Sequence, residues 1–215
     1  MGRDPNRWST FKGYGLSDEE LQGLAAFNDP NRGNCASCHR LKPGPQGYPL
    51  FTDFGYDNLG IPKNPDNPFY SMPTAWNPDG YDWVDYGLGG FLKSAGYPLE
   101  VYETEMGKFK CPTLRNVDLR PSADVVKAYG HNGYFKSLES IVFFYHWRGA
   151  MDSGCMGGGM GVGGMGGGMG CDGMAGMFPP PEVDRNLASM NMFPRPLVDS
   201  IVAFLKTLSD GYPQR

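Results

Sequence analysis

Only three histidines and five cysteines occur in the 215 residues, and both shortages narrow the chemistry open to the chain. A site built from many imidazoles is excluded, and an odd number of cysteines cannot all pair with one another. No apolar run approaches the roughly eighteen residues of a membrane-spanning helix. The formal net charge of −4 offers no basic footprint for nucleic acid. The polar beginning, Met1 to Phe11, lacks the apolar centre of a signal peptide. The expectation there is that a leader has been removed or that the numbering starts within the mature part. Long regular periodicity is scarce as well, because 32 glycines and 19 prolines break the chain into turns and irregular stretches.

Against this background one segment stands out, Cys35-Ala36-Ser37-Cys38-His39. In a C-x-x-C-H run two thiols can add to the vinyl groups of a haem while the adjacent imidazole binds its iron. A zinc site would need a second ligand pair at comparable spacing, and a redox dithiol would need both thiols free. Cys111, Cys155 and Cys171 are single and widely separated, so no second C-x-x-C exists. The reading is one covalently bound haem c, with Cys35 and Cys38 as attachment points and His39 as the proximal ligand. Thioether attachment fits a periplasmic or otherwise extracytoplasmic compartment.

Three helices are expected around this segment. Ser17-Asp18-Glu19-Glu20 is a capping-box pattern followed by Leu21, Leu24 and Ala25 on one stripe. Ser137 opens a second helix, in which Leu138, Ile141, Val142 and Tyr145 recur at three- and four-residue intervals. A third starts near Arg195-Pro196, carries Leu197, Ile201, Phe204, Leu205 and Leu208, and stops near Gly211. From Lys42 to Pro98 no periodicity is sustained beyond a stretch from Trp83 to Ser94. The expected fold is mainly α, one cytochrome c-like haem domain over residues 1–215 with long irregular loops. Within it, 151–178 is a Met/Gly-rich insertion. Its composition favours a flexible loop, closed at its base by a Cys155–Cys171 disulfide where geometry permits. Its thioethers make copper a further candidate cofactor and partner docking another use.

The ligand opposite His39 is open on residue chemistry alone. Met106, His131, Tyr145, His146, a loop methionine and water all compete. Tyr145 lies on the apolar stripe of its helix, and His146 is turned by about 100° around the axis.

Further landmarks then fall in a set order: Phe51-Thr52-Asp53 with Asn58-Leu59-Gly60, Phe109-Lys110-Cys111-Pro112-Thr113-Leu114-Arg115-Asn116, Tyr129-Gly130-His131-Asn132-Gly133, and Ala203-Phe204-Leu205-Lys206-Thr207-Leu208. With the C-x-x-C-H run they resemble the C-terminal haem domain of the bacterial dihaem cytochrome c peroxidase and MauG family. The resemblance covers roughly Leu16 to Asp210, interrupted by the Met/Gly insertion. It implies Tyr145 as the second axial ligand, as in the MauG branch, and His131 as a residue near the haem that bonds a propionate or another acidic group. It implies Arg115 as a brace at the haem edge, and admits calcium at the carbonyls of Val126 and Ala128. A dihaem enzyme needs a second C-x-x-C-H, which this chain lacks. The function expected is therefore a haem electron-transfer protein or subunit working with a redox protein or second haem-bearing subunit. The alternatives are a MauG-like or peroxidase-like oxidoreductase subunit acting on peroxide or a protein substrate, and a Met-rich copper-binding or partner-docking cytochrome.

Overall fold

The computed structural model describes residues 15–45, 47–119, 125, 127–152 and 176–209. Among them five helices dominate: α1 (Asp18–Asn28), α2 (Gly87–Ser94), α3 (Leu99–Tyr102), α4 (Leu138–Asp152) and α5 (Leu197–Lys206). A single antiparallel pair, β1 (Tyr56–Asp57) and β2 (Phe109–Lys110), aligns Tyr56 with Lys110 and Asp57 with Phe109. Short 3₁₀ turns and irregular chain complete the described part, so the fold is mainly α. No described helix is long and apolar enough to cross a membrane.

The capping box forms at the start of α1. Ser17 Oγ accepts from the Glu20 amide at 3.3 Å and the Ser17 amide donates to Glu20 Oε2 at 2.6 Å. Two otherwise orphaned donors at the helix start are thereby satisfied. α1 then packs against α5, bringing the two ends of the described chain together. Gly23 makes this crossing close: a Cβ there would lie 1.8 Å from the Ser200 carbonyl oxygen.

The main core joins Leu24, Ala26 and Phe27 of α1 to Leu138 and Val142 of α4 and to Val198, Ile201, Phe204 and Leu205 of α5. A second cluster, Ile61, Phe135, Phe144, Trp147 and Ala150, lies along another side of α4. α4 is therefore buried on nearly every side beyond Val142, and the stripe expected from its sequence is incomplete. His146, the residue turned away from that stripe, is more buried than Tyr145, and its Nδ1 lies 2.6 Å from the Phe193 carbonyl. Regular helix in the 83–94 stretch begins only at Gly87, after a 3₁₀ turn at Gly80–Asp82. Residues 153–175, with Cys155, Cys171 and five of the insertion's seven methionines, lie outside the described residues, as do the expected disulfide and copper site.

Candidate haem site

Asn34, in the left-handed region at φ 49°, turns the chain off the end of α1 and into a 3₁₀ turn over Cys35–Ser37. The His39 amide donates to the Cys35 carbonyl at 2.8 Å, which fixes the histidine one turn beyond the first thiol. Phe51 and Phe54 also take left-handed φ values, 52° and 61°, an uncommon conformation for bulky residues. The Phe51–Phe54 loop carries the Phe51 carbonyl to 2.8 Å from His39 Nδ1. With Nδ1–H donating to that oxygen, the tautomer leaves the Nε2 lone pair for a metal. Thr52 holds the loop in place, donating to the Cys111 carbonyl at 2.7 Å and accepting from the Phe54 amide at 2.9 Å.

The surroundings keep these groups neutral. Burial pushes the Cys35 thiol up to about 12 and Cys38 to about 11, so neither is a reactive thiolate at neutral pH. Burial lowers His39, against the opposing pull of the Phe51 carbonyl and Asp53. Cys38 Sγ lies 3.6 Å from Asp57 Oδ2 on β1. Cys111, a buried free thiol, sits 3.5 Å from His39 Nδ1 and 3.9 Å from its Nε2.

Tyr145, on α4, faces the same space. Its phenol is pushed up first by burial and then by the thiols of Cys35, Cys111 and Cys38, which lie close enough to act on it. Partly buried apolar groups, among them Ala36, Leu41, Leu114, Val117, Ile141 and Phe143, rest on the main core without being sealed by it. Paired thiols on one turn, an imidazole presenting Nε2, an opposing phenol and an apolar lining make a donor set that fits a haem. Cys35, Cys38 and His39 would hold it, with Tyr145 beside the same space.

The other expected site residues are placed differently. The Arg115 guanidinium lies over the Tyr48 ring, 4.6 Å from its centre. His131 stacks on Phe109, with ring centres 3.4 Å apart and planes 7° from parallel, and its Nε2 lies 3.6 Å from Glu182 Oε2. An acidic partner for His131 is thus present within the chain. Val126, one of the two carbonyl donors considered for calcium, lies outside the described residues. No cluster of three or more His, Cys, Asp or Glu side chains fit for a metal ion occurs among the described residues. A groove of about 510 Å³ runs past Tyr56, Leu88, Phe91, Phe109 and Lys110, and none of the four haem-site residues lines it.

Three contributors were not anticipated as such. The Phe51 carbonyl acts through its backbone, which no side-chain pattern signals. Cys111 gives no sign in sequence of facing His39 across seventy-two positions. Glu182 follows the Met/Gly stretch in a proline-rich run with no periodicity to mark it as buried.

These features are those of a mainly α chain with the donor set of a c-type haem protein. Comparison with known proteins carries the assignment further: the chain belongs with the relatives of MauG and the dihaem cytochrome c peroxidases. It is 31% identical to the methylamine utilization protein MauG of Paracoccus denitrificans over 185 residues, covering 82% of this chain and 39% of that protein. It is 27% identical over 151 residues to the cytochrome-c peroxidase IdrP1 of Denitromonas iodatirespirans, covering 66% of this chain and 35% of the relative. Among solved structures, the dihaem peroxidase BthA of Burkholderia thailandensis superposes with a TM-score of 0.58 at 27% identity, covering 96% of this chain and 46% of that one. A single-residue variant of BthA gives 0.61 at 25% identity, with 92% and 43% covered. No family model matches. The chain spans less than half the length of each of these proteins.

Proposed function

We propose that this chain is the one-haem half of a dihaem redox system, located outside the cytoplasm and exchanging single electrons with a second haem-bearing chain or domain. The observation that carries this reading is the convergence of Cys35, Cys38, His39 and Tyr145 on one apolar-lined space, from two parts of the chain a hundred residues apart. Bound there, a haem supplies one-electron cycling of its iron.

The chain's own groups define how that centre is held. Cys35 and Cys38 anchor the porphyrin edge. His39 presents Nε2 because the Phe51 carbonyl occupies Nδ1. Burial and the neighbouring thiols hold Tyr145 as a neutral phenol, so its oxygen would have to give up that proton to serve as a ligand. As a phenolate it would favour ferric iron, unlike the ligands of a high-potential electron shuttle.

A second reading, a subunit of a peroxidase or MauG-like oxidoreductase, is favoured by the names of the relatives, which are peroxidases and MauG. The two readings differ in whether a second haem is present. Purification of the native assembly, with haem counted per chain and peroxide turnover measured on the same material, separates them. One haem per assembly with fast electron exchange and no turnover supports the electron-transfer protein. Two haems with turnover support the oxidoreductase. For the ligand set, an unchanged ferric spectrum in Tyr145→Phe rejects tyrosine coordination.

A further inference from the structure

Glu182 is a carboxylate buried to 2% side-chain exposure with donors gathered around it. Tyr70 Oη donates to Oε1 at 3.3 Å, Asn132 Nδ2 donates to Oε2 at 3.2 Å, and His131 Nε2 lies 3.6 Å from Oε2. Tyr70 itself is 4% exposed. Its ring lies 5.3 Å from that of Tyr81 and 6.2 Å from that of Trp83, and Tyr81 reaches solvent with 63% of its surface exposed. In the other direction the cluster runs toward the haem anchor. His131 stacks on Phe109, Phe109 pairs with Asp57 across the strand ladder, and Asp57 Oδ2 lies 3.6 Å from Cys38 Sγ.

We infer that Tyr70 and Glu182 form a second redox-active site, a proton-coupled tyrosine that passes single electrons between the haem and aromatic one-electron donors arriving near Tyr81 and Trp83. This rests on the haem at Cys35 and Cys38 as the inner redox partner.

Lys63 decides the form the chemistry takes. Its ammonium lies 4.7 Å from the centre of the Tyr70 ring, and it also donates to the carbonyls of Trp83, at 3.2 Å, and Tyr81. A tyrosine that lost an electron and kept its proton would carry a positive charge directly under this cation. Oxidation therefore requires the phenolic proton to leave. Among the described residues the Tyr70 hydroxyl donates to Glu182, whose second oxygen is already engaged by Asn132 and faces His131.

A one-electron oxidant derived from peroxide, acting by way of the haem site, would take one electron from Tyr70, and the O–H proton would move to Glu182 Oε1. A neutral tyrosyl radical and a carboxylic acid remain. An electron from a phenolic or other aromatic donor at the Tyr81 and Trp83 surface, together with return of the proton from Glu182, restores both groups. In the resting state burial, and then the adjacent Glu182 carboxylate, push the Tyr70 phenol up to about 12, so the hydroxyl is intact and donating at neutral pH.

The test uses the haem-loaded full chain and a photogenerated ruthenium(III) polypyridyl oxidant, with freeze-trapped electron paramagnetic resonance as the readout. A neutral tyrosyl signal is expected, lost for the most part in Tyr70→Phe and growing about a hundredfold more slowly in Glu182→Gln, the lower end of the range for a lost proton acceptor. No tyrosyl signal in the wild type, an unchanged yield in Tyr70→Phe, or an unchanged rate in Glu182→Gln overturns the inference. Should Tyr70→Phe fold poorly, a fluorotyrosine at position 70 keeps ring and hydroxyl. Fluorine splitting of the signal supports the site, and a signal without it overturns the site. Because the ruthenium oxidant acts without peroxide or a second haem, failure of the dihaem reading appears in haem count and turnover and leaves this measurement unaffected.

Discussion

Glu182 carries a consequence for stability as well as for redox chemistry. Burial of itself pushes its carboxyl up, but hydrogen bonds from His131 and Asn132 outweigh that and hold it below the ordinary carboxylate value. A carboxyl lowered by folding contributes stability that is fully present above its unfolded pKa and is lost as pH falls through its folded pKa. Glu182→Gln should therefore cost roughly 1–3 kcal/mol at neutral pH, the range for a buried charged hydrogen-bond partner. The gap between variant and wild type should close as the pH falls below the carboxylate range. Thermal unfolding of both proteins across acid pH checks this, and a gap that stays constant into acid refutes it. Cys111 is a second residue whose place decides its behaviour. Burial raises its thiol and packs it against His39. It should resist alkylation at neutral pH in the folded chain and react readily on unfolding, as peptide mapping after iodoacetamide treatment would show. Neither residue's role was legible in sequence. A C-x-x-C-H run announces its chemistry through spacing alone, whereas Glu182 and Cys111 acquire theirs from partners far along the chain.

At the scale of elements, the local signals that survived were those read over one helical turn. The Ser17–Glu20 capping box forms as its spacing implies, because both of its hydrogen bonds lie within a single turn. α5 carries its stripe at Leu197, Ile201, Phe204 and Leu205, all buried. α4 was only half legible. Of its expected stripe Leu138 and Val142 are buried and Ile141 and Tyr145 only partly so, while Phe144 and Trp147 are buried in the second cluster and His146 against Phe193. Periodicity marks a helix with one wet face, and it cannot mark the walls that cover the rest. The same blindness applies to the crossing of α1 and α5. Glycine weakens a helix by its own propensity, yet Gly23 is what admits the Ser200 carbonyl. Gly23→Ala should destabilise the protein by about 1–3 kcal/mol or more through overpacking, although alanine is the better helix former. Chemical denaturation measures this, and a stabilised variant would show that the two helices can part at little cost.

At the scale of the whole molecule, order is unevenly distributed. α1, α4 and α5 share one core, while residues 50–110 hold two two-residue strands, a few 3₁₀ turns and two short helices. Large apolar groups in and beside that stretch remain exposed, including Phe54, Trp76, Phe91 and Leu99. Two ties to the helical core stand out: Phe51, which joins the main core and sets its carbonyl at His39, and Ile61, which packs with Phe144 and Trp147 of α4, while Thr52 and Gly55 hold Cys111 beside His39. A group that binds only the folded state stabilises what it touches, so a haem held at Cys35, Cys38 and His39 as proposed should clamp this irregular half onto the helices. Hydrogen exchange on the holo chain and on a haem-free Cys35→Ala, Cys38→Ala chain tests the idea. Loss of haem should speed exchange at the Cys111 amide and through the 50–110 stretch, while amides within α1 and α5 keep their protection. Uniform loss across all helices would mean instead that the haem holds the helical core itself, and that the close α1–α5 crossing contributes little without it.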